Sequence, residues 1–128
     1  MLINKVVVRF KNGDLMKGTT SAFFSNKPVF RLELGTGKML DITIEDLKAI
    51  YFVKDFTGNK DRIDEYTNHV PGGGRKIQVE FADGEELIGY TQGYSPTRSG
   101  FFVVPADLET NNDRIYVITS ATKKVTLS

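Results

Sequence analysis

Val6, Val8 and Phe10 alternate with Val7, Arg9 and Lys11, and Ile77, Val79 and Phe81 alternate with Gln78, Glu80 and Ala82. A period of two marks a half-buried strand, because successive side chains point to opposite faces. The two patterns run in the same phase, 71 positions apart from Lys5 to Lys76. Equivalent side chains are therefore expected to face the same way. Asn12-Gly13 and Asp83-Gly84 follow, each supplying the positive-φ residues of a tight hairpin turn. A second strand comes next in each copy, with Gly18 and Gly89 inside it. Glycine is costly within a strand unless a bend or a close backbone approach requires it, so its recurrence predicts strands that coil around a small barrel.

Further strands are predicted at Phe30-Arg31-Leu32-Glu33-Leu34 and Phe101-Phe102-Val103-Val104. Gly35-Thr36-Gly37 turns the first copy back, whereas the second uses the longer Ala106-Asp107-Leu108-Glu109-Thr110-Asn111-Asn112-Asp113. The offset accordingly grows to 73, aligning Ile42 with Ile115. Fourth strands follow at Leu40-Asp41-Ile42-Thr43-Ile44 and Arg114-Ile115-Tyr116-Val117-Ile118. Ala49-Ile50-Tyr51-Phe52-Val53 and Lys124-Val125-Thr126-Leu127 close the units as fifth strands. The expected fold is all-β: two tandem five-stranded small barrels related by an internal repeat, over residues 1–53 and 76–128. Residues 54–75 form the connector, where Ile63, Tyr66 and Val70 have the spacing of a short helix. Gly72-Gly73-Gly74 lacks the Lys-Ser/Thr of a phosphate loop and reads as linker.

A unit of about 55 residues buries only roughly 60% of its unfolded surface, so the halves are expected to pack together or on a partner. Seventeen basic and sixteen acidic residues leave a net charge of +1, which gives little support to a phosphate-binding surface. Residues 1–53 carry eight basic and five acidic groups; residues 76–128 carry five and seven. Cysteine is absent, which excludes disulfides and thiolate metal sites. No apolar run approaches the roughly 18 residues of a membrane span, and no leader-like stretch opens the chain, so a cytoplasmic location is expected.

The strand–Asn/Asp-Gly–strand opening and five-strand meander resemble the Sm superfamily, which includes the bacterial host-factor RNA chaperone. Val6, Val8, Phe10, Gly13, Met16, Gly18, Phe23 and the closing Leu47-Lys48-Ala49-Ile50 carry the likeness. Sm proteins that bind RNA have Asp-x-x-Met-Asn after the second strand and Arg-Gly near the fourth. Here those places read Phe23-Phe24-Ser25-Asn26-Lys27-Pro28 and Thr43-Ile44-Glu45-Asp46. The resemblance thus implies the fold rather than uridine recognition. It also implies ring-like homo-oligomers, although a fused pair can satisfy its edges internally. A second likeness spans most of the chain. Gly89-Tyr90-Thr91-Gln92-Gly93-Tyr94-Ser95-Pro96, Phe101-Phe102, Pro105-Ala106-Asp107 and Tyr51-Phe52-Val53-Lys54-Asp55-Phe56 resemble a bacterial domain family of unknown function. The arginine motif of cyclic-dinucleotide receptors of the PilZ type is missing; Arg75 has Val79 four residues on.

No catalytic or cofactor signature emerges. His69 lacks a nucleophile or orienting acid in any recognisable pattern, and Asp61, Asp64 and Glu65 are interleaved with Lys60 and Arg62 like a solvated face. The expected activity is protein recognition without chemistry, by a module needing no metal or cofactor. Candidate contacts are Tyr94, Pro96, Arg98, Phe102, Asp107, Asn111, Asn112 and Arg114, because proline stiffens a loop while aromatic and arginine side chains anchor interfaces. Phe24, near Asn26-Lys27-Pro28, is the corresponding exposed aromatic of the first copy. The alternative is nucleic-acid binding by the more basic first copy, through Lys5, Arg9, Lys11, Lys17, Lys27 and Arg31.

Overall fold

The computed structural model describes residues 3–21, 23, 27–56, 66–70, 72–107 and 110–128. The first five strands are β1 (Asn4–Phe10), β2 (Leu15–Thr20), β3 (Val29–Glu33), β4 (Met39–Thr43) and β5 (Leu47–Val53). The second five are β6 (Arg75–Phe81), β7 (Glu86–Thr91), β8 (Gly100–Pro105), β9 (Asn112–Ile118) and β10 (Thr122–Leu127). The fold is all-β. In place of two separately closed barrels, the strands form one open antiparallel sheet in the order β10-β6-β7-β8-β9-β5-β1-β2-β3-β4. Each set of five keeps one order, with its last strand beside its first. A β5–β9 seam joins the sets.

Local chemistry explains the matched elements. Gly13 and Gly84 sit at φ of 97° and 95°, where a side chain would be strained. The residue before each glycine also participates: Asn12 Oδ1 accepts from Asp14 N at 2.9 Å and Asp83 Oδ1 from Glu85 N at 3.0 Å. A Cβ on Gly18 would lie 2.5 Å from the Glu33 carbonyl oxygen, and one on Gly89 would collide with that of Val104. Close strand approach is thus the reason for both glycines. The β2–β3 and β7–β8 ladders are short, and a threonine follows each. Thr20 Oγ1 donates to Arg31 O at 2.9 Å, and Thr91 Oγ1 to Phe102 O at 2.8 Å.

Strand register corrects the sequence alignment. Phe30 pairs with Ile42, and Phe101 pairs with Val117, so Ile42 corresponds to Val117 rather than Ile115. The two 3-10 turns, Ile44–Asp46 and Thr119–Ala121, keep this 75-residue offset. The loop before β9 absorbs the extra residues. Alternation alone could not detect the slip, because moving by two residues preserves the face.

Two cores lie on opposite faces of the sheet. Val6, Val8, Ile50, Phe52, Tyr116 and Ile118 belong to one, with Phe30, Leu32 and Ile42. Ala49, Ile115 and Val117 belong to the other, with Ile77, Val79, Phe81, Phe101 and Val103. β5 and β9 therefore give alternate residues to both cores. That is why Leu47-Lys48-Ala49-Ile50 and Ile115-Tyr116-Val117-Ile118 are buried without a break. Burial on both faces replaces the half-exposed alternation of β1.

Side chains clamp the seam at each end. Lys11 Nζ donates to Glu45 O and to Ser120 Oγ, both at 2.7 Å. Asn111 accepts from Asp55 N at 3.1 Å and donates to Asp55 O at 2.8 Å. Lys48 reaches from β5 to the β6–β7 turn, 2.7 Å from Asp83 Oδ2 and in contact with Glu85, above the Phe81 ring. The proposed connector helix at Ile63, the acids Asp61, Asp64 and Glu65, and Phe24 and Asn26 lie outside the described residues. No described helix is long and apolar enough to cross a membrane.

Candidate functional site

A cleft of about 930 Å³ opens where β7 and β8 end their short ladder. Its floor and walls come from three places. Tyr90 and Thr91 end β7, Phe102 and Val104 belong to β8, and Arg114 and Tyr116 come from β9. The loop carrying Arg98 and Ser99 forms one rim, and Val70, Gly72 and Gly73 of the connector form another. Val70, Tyr90, Phe102 and Val104 are all half-buried, so each keeps some surface toward the opening.

The rim loop is held by a local turn. Ser95 Oγ and Thr97 Oγ1 lie 2.8 Å apart, and Arg98 N donates to Ser95 O at 3.2 Å. Pro96 fits the start of such a turn because its φ is preset. Arg98 emerges exposed beyond it. Arg114 is arranged differently: its guanidinium lies 4.4 Å from the Phe52 ring centroid and 4.8 Å from that of Phe102. The two rings fix a cation at the cleft wall. Below them Phe102 and Tyr116 meet edge-to-face at 4.9 Å, and Phe23 touches both. A Cβ on Gly100 would lie 2.5 Å from the Tyr116 ring, so glycine is required there.

The candidate residues from the sequence divide into groups. Arg98, Phe102 and Arg114 line the one cleft, with Pro96 in the rim loop. Tyr94 packs its ring on Phe101 at 4.7 Å, at the margin of the second core. Asp107 is buried, Asn111 clamps the seam, and Asn112 pairs with Val53. These three hold the loop and do not line the cleft.

The basic residues of the first half spread out and bond internally. Lys17 Nζ donates to Phe56 O at 2.8 Å, and Arg31 pairs with Asp41 at 3.5 Å. Lys5 and Arg9 lie over the Phe56 and Tyr51 rings, Lys11 holds the seam, and Lys27 has an intramolecular interaction of its own. Electrostatics elsewhere are local: the Lys48 hydrogen bond holds the Asp83 carboxyl below the usual aspartate range. Burial, helped by the Glu85 charge, pushes the Tyr51 hydroxyl up.

Sequence reasoning missed the connector's share of the site. Gly73 is buried, and a Cβ there would meet Tyr90 Cβ at 2.8 Å; Gly74 has φ of 89°, and a Cβ there would collide with Thr91 O. Gln92 Nε2 donates to Gly72 O. The glycines thus lay the connector flat against β7, and His69 Nδ1 comes 3.3 Å from the Tyr90 hydroxyl at the same rim. The triple glycine was the available signal. Among the described residues, no group of three or more acidic or histidine side chains is arranged to hold a metal ion.

One continuous sheet with two cores and a cleft at a splayed strand pair defines a small all-β domain. The chain belongs to a family of unknown function, DUF6982, which matches residues 3–128. No curated protein and no solved structure matches it.

Proposed function

We propose that this protein is a non-enzymatic binding module that recognises another protein through the β7–β8 cleft. The observation that carries this reading is the meeting of Arg98, Phe102 and Arg114 in one opening, with Tyr90 and Val104 beside them. Ring and guanidinium side chains of this kind supply much of the energy of protein interfaces. Nucleic acid is the competing ligand, and the internal bonding of Lys11, Lys17 and Arg31 counts against it. We further propose that the halves are duplicated Sm-like units fused edge to edge, which matched strand order, glycine contacts and threonine bonds support.

The test is site-specific photo-crosslinking in cells, with the reactive group at Ser99 in the cleft and, as a control, at Thr126 on the border strand. Ser99 is expected to capture a discrete protein that Thr126 does not, and Arg98→Glu is expected to abolish that capture. Capture of nucleic acid at Ser99, or the same products from both positions, overturns the reading.

A further inference from the structure

We propose that the cleft takes an acidic peptide segment of its partner, in which carboxylates alternate with apolar side chains. This inference rests on the binding-module reading and specifies its ligand. The described lining contains two arginines and no aspartate or glutamate. Neither Arg98 nor Arg114 makes an ion pair with any described residue, whereas Lys48, Lys54 and Lys123 all do. Residues 76–128 hold five basic groups against seven acidic ones, and two of those five face this opening. Positive charge is thus gathered at the cleft of an otherwise acidic half.

The remaining features select a peptide over a polyanion. A nucleic-acid backbone leaving the cleft along residues 76–128 would meet seven acidic groups and only three basic ones beyond the two arginines, so counterion release would give it little. A short segment places its carboxylates on the arginines alone. Arg114 is already held by the Phe52 and Phe102 rings, so little rotamer freedom remains to be lost on contact. Val70, Tyr90, Phe102 and Val104 offer apolar surface for the intervening side chains. At about 930 Å³ the cleft falls within the roughly 300–1,000 Å³ of sites that enclose drug-sized groups, so it takes a few side chains of the segment rather than its whole length.

The experiment measures fluorescence anisotropy of the full chain with three labelled probes. These are an eight-residue peptide alternating Glu and Leu, its Gln–Leu analogue, and oligouridylate RNA. The Glu–Leu peptide is expected to bind at least 10-fold more tightly than either other probe. Arg98→Gln is expected to weaken it at least 10-fold, while Arg31→Gln leaves it unchanged. Arg114→Gln is expected to weaken it too; if that variant melts early, Arg98→Gln on the exposed loop decides. Equal binding of the two peptides, no binding of the Glu–Leu peptide, or insensitivity to Arg98→Gln overturns the acidic ligand. In those cases protein capture at Ser99 still upholds the module. Tighter binding of RNA overturns both.

Discussion

At the seam β5 presents Ala49, Tyr51 and Phe52 beside β9, while at the border of the sheet β10 carries Lys124, Thr126 and Leu127 in the same places. Register establishes the correspondence: Phe52 and Leu127 lie opposite Val6 and Ile77, and Ala49 and Lys124 lie opposite Arg9 and Glu80. The partner strands differ in the same sense. Phe102 faces Tyr116 across β8 and β9, whereas Arg31 faces Asp41 across β3 and β4 as an exposed ion pair. Even the lysines diverge. The Lys48 side chain at the seam is 11% exposed and holds Asp83, and its border counterpart Lys123 is 70% exposed and lies 3.8 Å from Glu80. Two sets of strands in the same order thus have an apolar composition where they join and a more charged one at the β10 border. Charged border strands discourage pairing with further chains. The difference teaches that strands with the same place in the order carry buried apolar side chains at the seam and exposed lysines at the β10 border.

The strongest way to break the contrast is to give the seam a border residue. Ala49 is fully buried in the core it shares with Ile115 and Val117, so Ala49→Lys places an unpaired ammonium in that core at a cost of about 3–5 kcal/mol. Urea titration followed by circular dichroism should show loss of most cooperative folding, because total stability is commonly only about 5–15 kcal/mol. Next in size is Phe52→Ala, expected to cost about 3–4 kcal/mol through the cavity it leaves. Leu127→Ala at the equivalent border position should cost less than about 1 kcal/mol in the same titration.

Lys48→Met sharpens the comparison through charge. It should cost about 1–2 kcal/mol at neutral pH, with both carboxylate partners partly in solvent, while Lys123→Met stays within about 0.5 kcal/mol. Because Lys48 depresses the Asp83 carboxyl, its stabilisation is present above the ordinary aspartate pKa of about 4. It is lost as pH falls through the lowered folded value. The gap between native chain and Lys48→Met should therefore close in acid, and thermal melts at pH 7 and below pH 3 measure it. The smallest effect on folding is expected for Lys123→Val with Lys124→Val. The melting temperature should hardly change, but sedimentation velocity should reveal association through the uncovered border.

The hairpins were readable from Asn12-Gly13 and Asp83-Gly84 because a turn requirement is local, and Gly18 and Gly89 announced close approach by recurring. The seam was harder to read. Continuous burial of Leu47 to Ile50 has no period, so only pairing with β9 distinguishes a doubly covered strand from any short apolar run. The cleft was partly legible. Arg98, Phe102 and Arg114 stood out as chemistry, but the role of Gly73 depends on Tyr90, which is distant along the chain.

By itself the sequence determined the strands, their turns and the phase of their buried faces, since those follow from backbone preferences and alternation within a few residues. Only the tertiary structure decided that ten strands share one sheet, that two cores occupy its opposite faces, and that the connector walls a cleft. Those outcomes depend on contacts between segments tens of residues apart, where burial and charge are set by the neighbour rather than by the local pattern.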